Sequence, residues 1–139
     1  MARPLRIQRT GCWYHIAAHG NLRRQIFVDD KDRRHFLELL EATVGMFSLR
    51  LHAFVLMSNH YHLLLEITEV NLSRSVQWLN TSYSVWFNRR HRRSGHLCQG
   101  RFKSVVVEPE RSQRFSRRVA KDSEIVTLIK HVIPRIDNE

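Results

Sequence analysis

The residues best equipped for chemistry in this 139-residue chain are two histidines two positions apart, in Phe54-Val55-Leu56-Met57-Ser58-Asn59-His60-Tyr61-His62-Leu63. With Leu63-Leu64-Leu65 behind them, they read as the start of a strand. Successive side chains on a strand point to opposite faces, so His60 and His62 share one face and Tyr61 takes the other. Two imidazoles side by side on a rigid strand make half of a metal site. Imidazole suits Mn, Zn, Fe or Ni better than Mg, so the pair alone does not name the metal. A His-x-His on a strand is also compatible with an ordinary surface, and the weight of the reading rests on the rest of the chain.

The elements that must position this pair are legible. Leu49, Leu51, Ala53, Val55 and Met57 alternate at period two, which predicts a strand over Leu49–Met57 with all five on one side. Ser58-Asn59 supplies turn chemistry, and His60 to Ile67 returns as the second strand of a hairpin. Upstream, Trp13 to Ala18 is a strand that closes on a His19-Gly20-Asn21-Leu22 turn. Asp29-Asp30 offers a helix N-cap, and Phe36, Leu37, Leu40, Val44 and Phe47 carry helical spacing from there. A second helix is expected from Asn71-Leu72-Ser73 to about Arg90, with an apolar stripe of Leu72, Val76, Leu79, Tyr83 and Trp86/Phe87. Phe102 to Val107 has the β-branched content of a last strand. The order βαββαβ is that of a ferredoxin-like α+β fold, an antiparallel sheet with helices packed on one face. The expected organisation is a basic leader over 1–10, one domain over 11–108, and a tail over 109–139 that is part helical, from about Glu124 to Ile133.

Charge narrows the partners. Lys plus Arg number 23 against 13 Asp plus Glu, a formal +10, which points first to nucleic acid. No stretch approaches the ~20 apolar residues of a membrane span, and no apolar run follows the basic start, so neither a membrane partner nor a secretory signal is expected. Cys12 and Cys98, far apart and without Cys-x-x-Cys spacing, read as reduced thiols of a cytoplasmic protein. No acidic residue occurs between Glu69 and Glu108, a span holding Arg89, Arg90, Arg92, Arg93, Arg101 and Lys103. With Arg23 and Arg24 after the first strand, these are the candidate DNA contacts. Guanidinium forks match phosphate geometry and would position a backbone rather than read bases. Trp86, Phe87 and Phe102 are candidates either for stacking single-stranded bases or for the core.

Met57-Ser58-Asn59-His60-Tyr61-His62-Leu63-Leu64-Leu65 resembles the His-hydrophobe-His strand of single-tyrosine transposases. Trp86-Phe87-Asn88-Arg89-Arg90-His91, Gly95 to Ser104, and Tyr14-His15 through Gly20-Asn21 resemble the branch of that family associated with repetitive extragenic palindromes. The resemblance covers roughly residues 12 to 108. It implies a DNA strand-transfer enzyme acting on single-stranded or hairpin DNA, as a monomer or a homodimer. His60 and His62 would hold Mg or Mn at the scissile phosphate, and a tyrosine would attack to leave a 5′-phosphotyrosine and a free 3′-OH. Ser58 stands where the family usually has Pro, Tyr61 where it has an aliphatic residue, and Cys98 where it has Trp. Family spacing brings the nucleophile to about Val119, yet no tyrosine follows Tyr83. Tyr83 is the candidate catalytic residue, with core packing in its helix stripe as the alternative and Tyr14, on another strand, still open. Three functions stay open: strand cleavage and rejoining, a catalytically degenerate copy that only binds DNA, and a ferredoxin-like RNA-binding module whose His-x-His is accidental.

Overall fold

The computed structural model describes residues 8–107. Strand β1 (Trp13–His19) leads through a short 3-10 turn into helix α1 (Asp30–Phe47), then β2 (Leu49–Met57), β3 (His60–Ile67), helix α2 (Leu72–His91) and β4 (Lys103–Val107). The sheet order is β2-β3-β1-β4 and every pairing is antiparallel, the ferredoxin-like arrangement that the element order implies. The expected tail helix, the leader up to residue 7 and position Val119 lie outside the described residues.

Alternation divides the sheet into two unlike faces. Tyr14, Ile16 and Ala18 of β1 and Tyr61, Leu63, Leu65 and Ile67 of β3 are buried against the helices. Phe36 of α1 packs on Tyr61 with ring centroids 4.9 Å apart, which fixes this as the helix side. Trp13, His15, Ala17 and His19, with His60, His62, Leu64 and Glu66, occupy the other face. The core unites both helices with the inner sheet face, and the stripe of Leu72, Val76, Leu79, Tyr83 and Phe87 on α2 is buried as its spacing predicts.

One expectation about β2 fails. Leu51 pairs with Leu65 while Ala53 pairs with Leu64, so a bulge at His52 reverses the phase of the strand. Leu49 and Leu51 face the helices, but Ala53, Val55 and Met57 face the histidine side. Phe54 and Leu56, at 0% and 1% exposure, take their place in the core. A single extra residue moves every later side chain to the opposite face, so simple period-two counting cannot see it.

Gly20 closes the turn after β1. A Cβ there would sit 2.1 Å from the carbonyl oxygen of Arg24, so only glycine allows the backbone to fold this tightly. Gly20 N–H donates to the Asn59 carbonyl at 2.7 Å and Ile26 N–H to the Ser58 carbonyl at 2.8 Å, tying this turn to the β2–β3 turn that carries the histidines.

Candidate metal and nucleic-acid site

The site begins where β3 begins. His60 and His62 project from the face opposite the helices, with ring centroids 5.0 Å apart and planes perpendicular. Strand β1 adds two histidines that the sequence reading did not single out. His19 lies directly across from His60 and stacks on it at 5.1 Å, and His15, diagonal to His62, brings its Nε2 within 2.9 Å of His62 Nδ1. The signal for His15 and His19 was their period-two spacing; what could not be read was the register that sets them beside β3.

Crowding imidazoles in a half-buried patch disfavours their charged forms. Burial, then the neighbouring His15, His60 and His19, lower the pKa of His62 to about 4. Burial and then His19 lower that of His60. His62 is therefore neutral at neutral pH and His60 is shifted the same way, which is the protonation a metal ligand needs. Asn59 Oδ1 sits 2.7 Å from His60 Nδ1, a further polar contact of the kind that orients ligating histidines. Among the described residues no group of three or more His, Cys, Asp or Glu is placed to hold one cation. The donor chemistry thus fits His60 and His62 as two ligands, with other positions left to water or phosphate oxygens.

The candidate nucleophile is placed elsewhere. Tyr83 is 2% exposed on α2, on the helix side of the sheet, and its ring packs on Phe27, Phe36 and Phe87. Its hydroxyl donates to the Ile26 carbonyl, and burial pushes its pKa far above that of a free phenol. Tyr83 thus packs in the core on the helix side of the sheet, opposite the face that carries His60 and His62. The chain's other two tyrosines are equally enclosed: Tyr14 and Tyr61 are each 1% exposed on the helix side. Tyr14 accepts from Arg9 N–H at 2.7 Å, and Tyr61 donates to Asn80 Oδ1 at 2.5 Å with its pKa raised by burial.

The basic residues gather at the histidine end. Strand β1 and the β2–β3 turn end there, α1 starts there, and α2 arrives there. Arg23 and Arg24 are exposed in the Gly20 turn, Arg89 and Arg92 are exposed at the end of α2, and Arg101 is exposed in the loop before β4. Lys103 pairs with Ala17, itself paired with His62, so its exposed ammonium stands on the histidine face. Arg93 is half-buried, its guanidinium 5.8 Å from the Phe87 ring centroid.

Arg90 departs from the expected set. Its guanidinium donates to Asp29 at 2.6 and 2.7 Å and to the fully buried Asp32 at 2.5 Å, while His91 Nε2 lies 2.9 Å from the same Asp32 carboxylate. The hydrogen bond from Arg90 is the main reason the Asp29 carboxyl is held well below the usual carboxylate range. Asp29 also caps α1, accepting from Asp32 N–H. Arg90 therefore fastens the end of α2 to the start of α1. Phe87 and Phe102 are buried, and the partly buried Trp86 stacks on His35 of α1 at 4.1 Å.

Sequence comparison gives this antiparallel sheet and its His-x-His strand a family. The chain belongs to the family described as "Transposase IS200 like", which matches residues 8–122. Its fold is shared with the REP-associated tyrosine transposase solved bound to a REP hairpin, at 15% identity and TM-score 0.64, over 84% of this chain and 68% of that one. It is also shared with the crystal structure of a suspected transposase from Deinococcus radiodurans R1, at 17% identity and TM-score 0.58, over 87% and 95% of the two chains. No curated protein matches it by sequence. Among the described residues no helix is long and apolar enough to cross a membrane.

Proposed function

We propose that this transposase-family protein binds single-stranded or hairpin DNA across its histidine end, holds a divalent Mg or Mn between His60 and His62, and forms no phosphotyrosine with its own side chains. The observation that carries the reading is the burial of all three tyrosines on the side of the sheet away from His60 and His62. Phosphoryl transfer needs a nucleophile in line with the scissile bond. In this chain the histidine face supplies the positioning and the cationic surroundings but no phenol. The hairpin held by the REP-associated relative supports the choice of DNA form. A bound cation would neutralise phosphate charge; Arg23, Arg24, Arg89, Arg92, Arg93, Arg101 and Lys103 would hold the backbone on either side of it.

The test is fluorescence anisotropy with a labelled DNA hairpin bearing a single-stranded tail, its RNA counterpart as competitor, and Mn in the buffer, followed by denaturing electrophoresis. DNA binding that RNA displaces poorly, weakened in His60→Ala and His62→Ala only when Mn is present, with no protein-sized labelled band, is the expected result. A covalent band that one Tyr→Phe variant removes would overturn the proposal and restore strand transfer. Preferred binding of the RNA, indifferent to both histidines, would favour the RNA-binding module instead.

A further inference from the structure

We infer that Asn59 and His15 are positioning residues that preset His60 and His62 as a matched pair of Nε2 ligands by holding the proton of each ring on Nδ1. The inference rests on the reading that this pair holds a cation. A neutral imidazole offers a metal only the nitrogen that carries no hydrogen, and a free histidine side chain in water favours hydrogen on Nε2. An Nε2 ligand therefore needs something to draw the proton to the other side of the ring.

Each histidine has such a group. Asn59 Oδ1 can only accept, and it lies 2.7 Å from His60 Nδ1, so that nitrogen is the donor and the lone pair is on Nε2. His62 Nδ1 lies 2.9 Å from His15 Nε2, and with His15 accepting, His62 takes the same form as His60. Both supports sit on paired backbone, with His15 opposite Leu64 in the β1–β3 ladder. The Asn59 backbone carbonyl is tied to Gly20 N–H, and the His15 ring lies stacked on His62 at 5.0 Å and 24°. Carbonyl or carboxylate oxygens usually stand behind ligating histidines. Here an asparagine serves one ring and a histidine of the neighbouring strand serves the other.

Ring-nitrogen NMR on the metal-free, 15N-histidine-labelled protein reads the two forms directly, and electron paramagnetic resonance of free Mn gives the affinity. His15→Phe keeps the stacked ring and removes the nitrogen. His15→Gln restores an acceptor oxygen at similar reach. In the wild type, both His60 and His62 should carry hydrogen on Nδ1. His15→Phe should move His62, and not His60, to the Nε2–H form and weaken Mn binding about tenfold, and His15→Gln should recover both readouts. Asn59→Ala should do to His60 what His15→Phe does to His62. Wild-type His62 found as Nε2–H, or wild-type Mn binding that His15→Phe leaves unchanged, would overturn the positioning role alone. A wild type that binds no Mn would overturn the metal reading as well, and with it the ligand assignment.

Discussion

Replacing Tyr83 with phenylalanine separates a core tyrosine from a catalytic one in a single measurement. The change removes one oxygen and leaves the contacts with Phe27, Phe36 and Phe87 in place. What it takes away is the donor to the Ile26 carbonyl, and Ile26 is 1% exposed, so water cannot readily replace it. Leaving a buried acceptor unsatisfied costs about 1–3 kcal/mol, and the enclosure here argues for about 2 kcal/mol. With an unfolding entropy of about 2.1 cal/mol/K per residue over the described residues 8–107, that lowers the melting temperature by about 10 °C. Tyr83→Ala, which also empties the ring volume, should cost about 3–5 kcal/mol. Tyr61→Phe is the internal comparison. Its partner is the Asn80 side chain, which can turn to find another donor, so about 1 kcal/mol is expected. Thermal melts followed by circular dichroism, with hairpin binding measured on the same samples, would check the series. The expected outcome is Tyr83→Phe with lowered stability and unchanged DNA affinity. A Tyr83→Phe protein that melts with the wild type while losing a covalent DNA adduct would refute the core assignment outright.

Two further outcomes follow from the electrostatics. Replacing Arg89, Arg92 and Arg93 together by alanine should reduce the slope of log affinity against log salt by about 2, at ~0.7 per contact with single-stranded phosphate. Arg90→Ala should leave that slope as it was and lower the melting temperature, because Arg90 is engaged by Asp29 and Asp32; anisotropy titrations at several salt concentrations distinguish the two. Metal-free protein should lose stability as pH falls from about 6.5 to about 4. His62 titrates near 4 when folded and near the ordinary 6.5 when unfolded, so within that window the unfolded chain binds the extra proton and stability rises with pH. The full shift would be worth about 3 kcal/mol, and the partial exposure of the ring reduces this to about 1–2 kcal/mol. Urea midpoints in EDTA across that range should follow this slope, and His62→Gln should flatten it.

Much of the fold and half of the candidate histidine cluster could be read from residue order. Alternation and capping residues marked the strands and helices, because each element buries one face and leaves the other wet. His60 and His62 were visible because both members of the pair sit on one strand. His15 and His19 were not, since their meeting with β3 depends on a cross-strand register that no local pattern encodes. Arg90 looked like any other member of an arginine run. Only the folded chain shows that Asp32, far away in sequence and wholly buried, needs a cation at the place where α2 ends. The phase of β2 was lost for a related reason, since the bulge at His52 leaves its trace in the pairing and none in the composition.

The two faces of the sheet hold separate chemistries. On the helix side the tyrosines act as large hydrophobes with a polar tip, each hydroxyl assigned to a partner inside the fold. On the open side burial, and then the neighbouring rings, disfavour charge on His60 and His62, and the exposed Lys103 stands on the same face. A phosphodiester drawn to that surface by its charge would meet neutral ring nitrogens suited to a cation, and no phenol from these 139 residues. On the proposed reading, a tyrosine attacking at His60 and His62 would come from another polypeptide segment. Mixing this protein with a hairpin substrate and a relative whose own histidine pair has been removed would expose such a contribution, because only a site assembled from both chains could then cut. Cleavage in the mixture and in neither component alone would show that the histidine face is competent and lacks only its nucleophile. Binding without cleavage would fix its role as a DNA-binding surface.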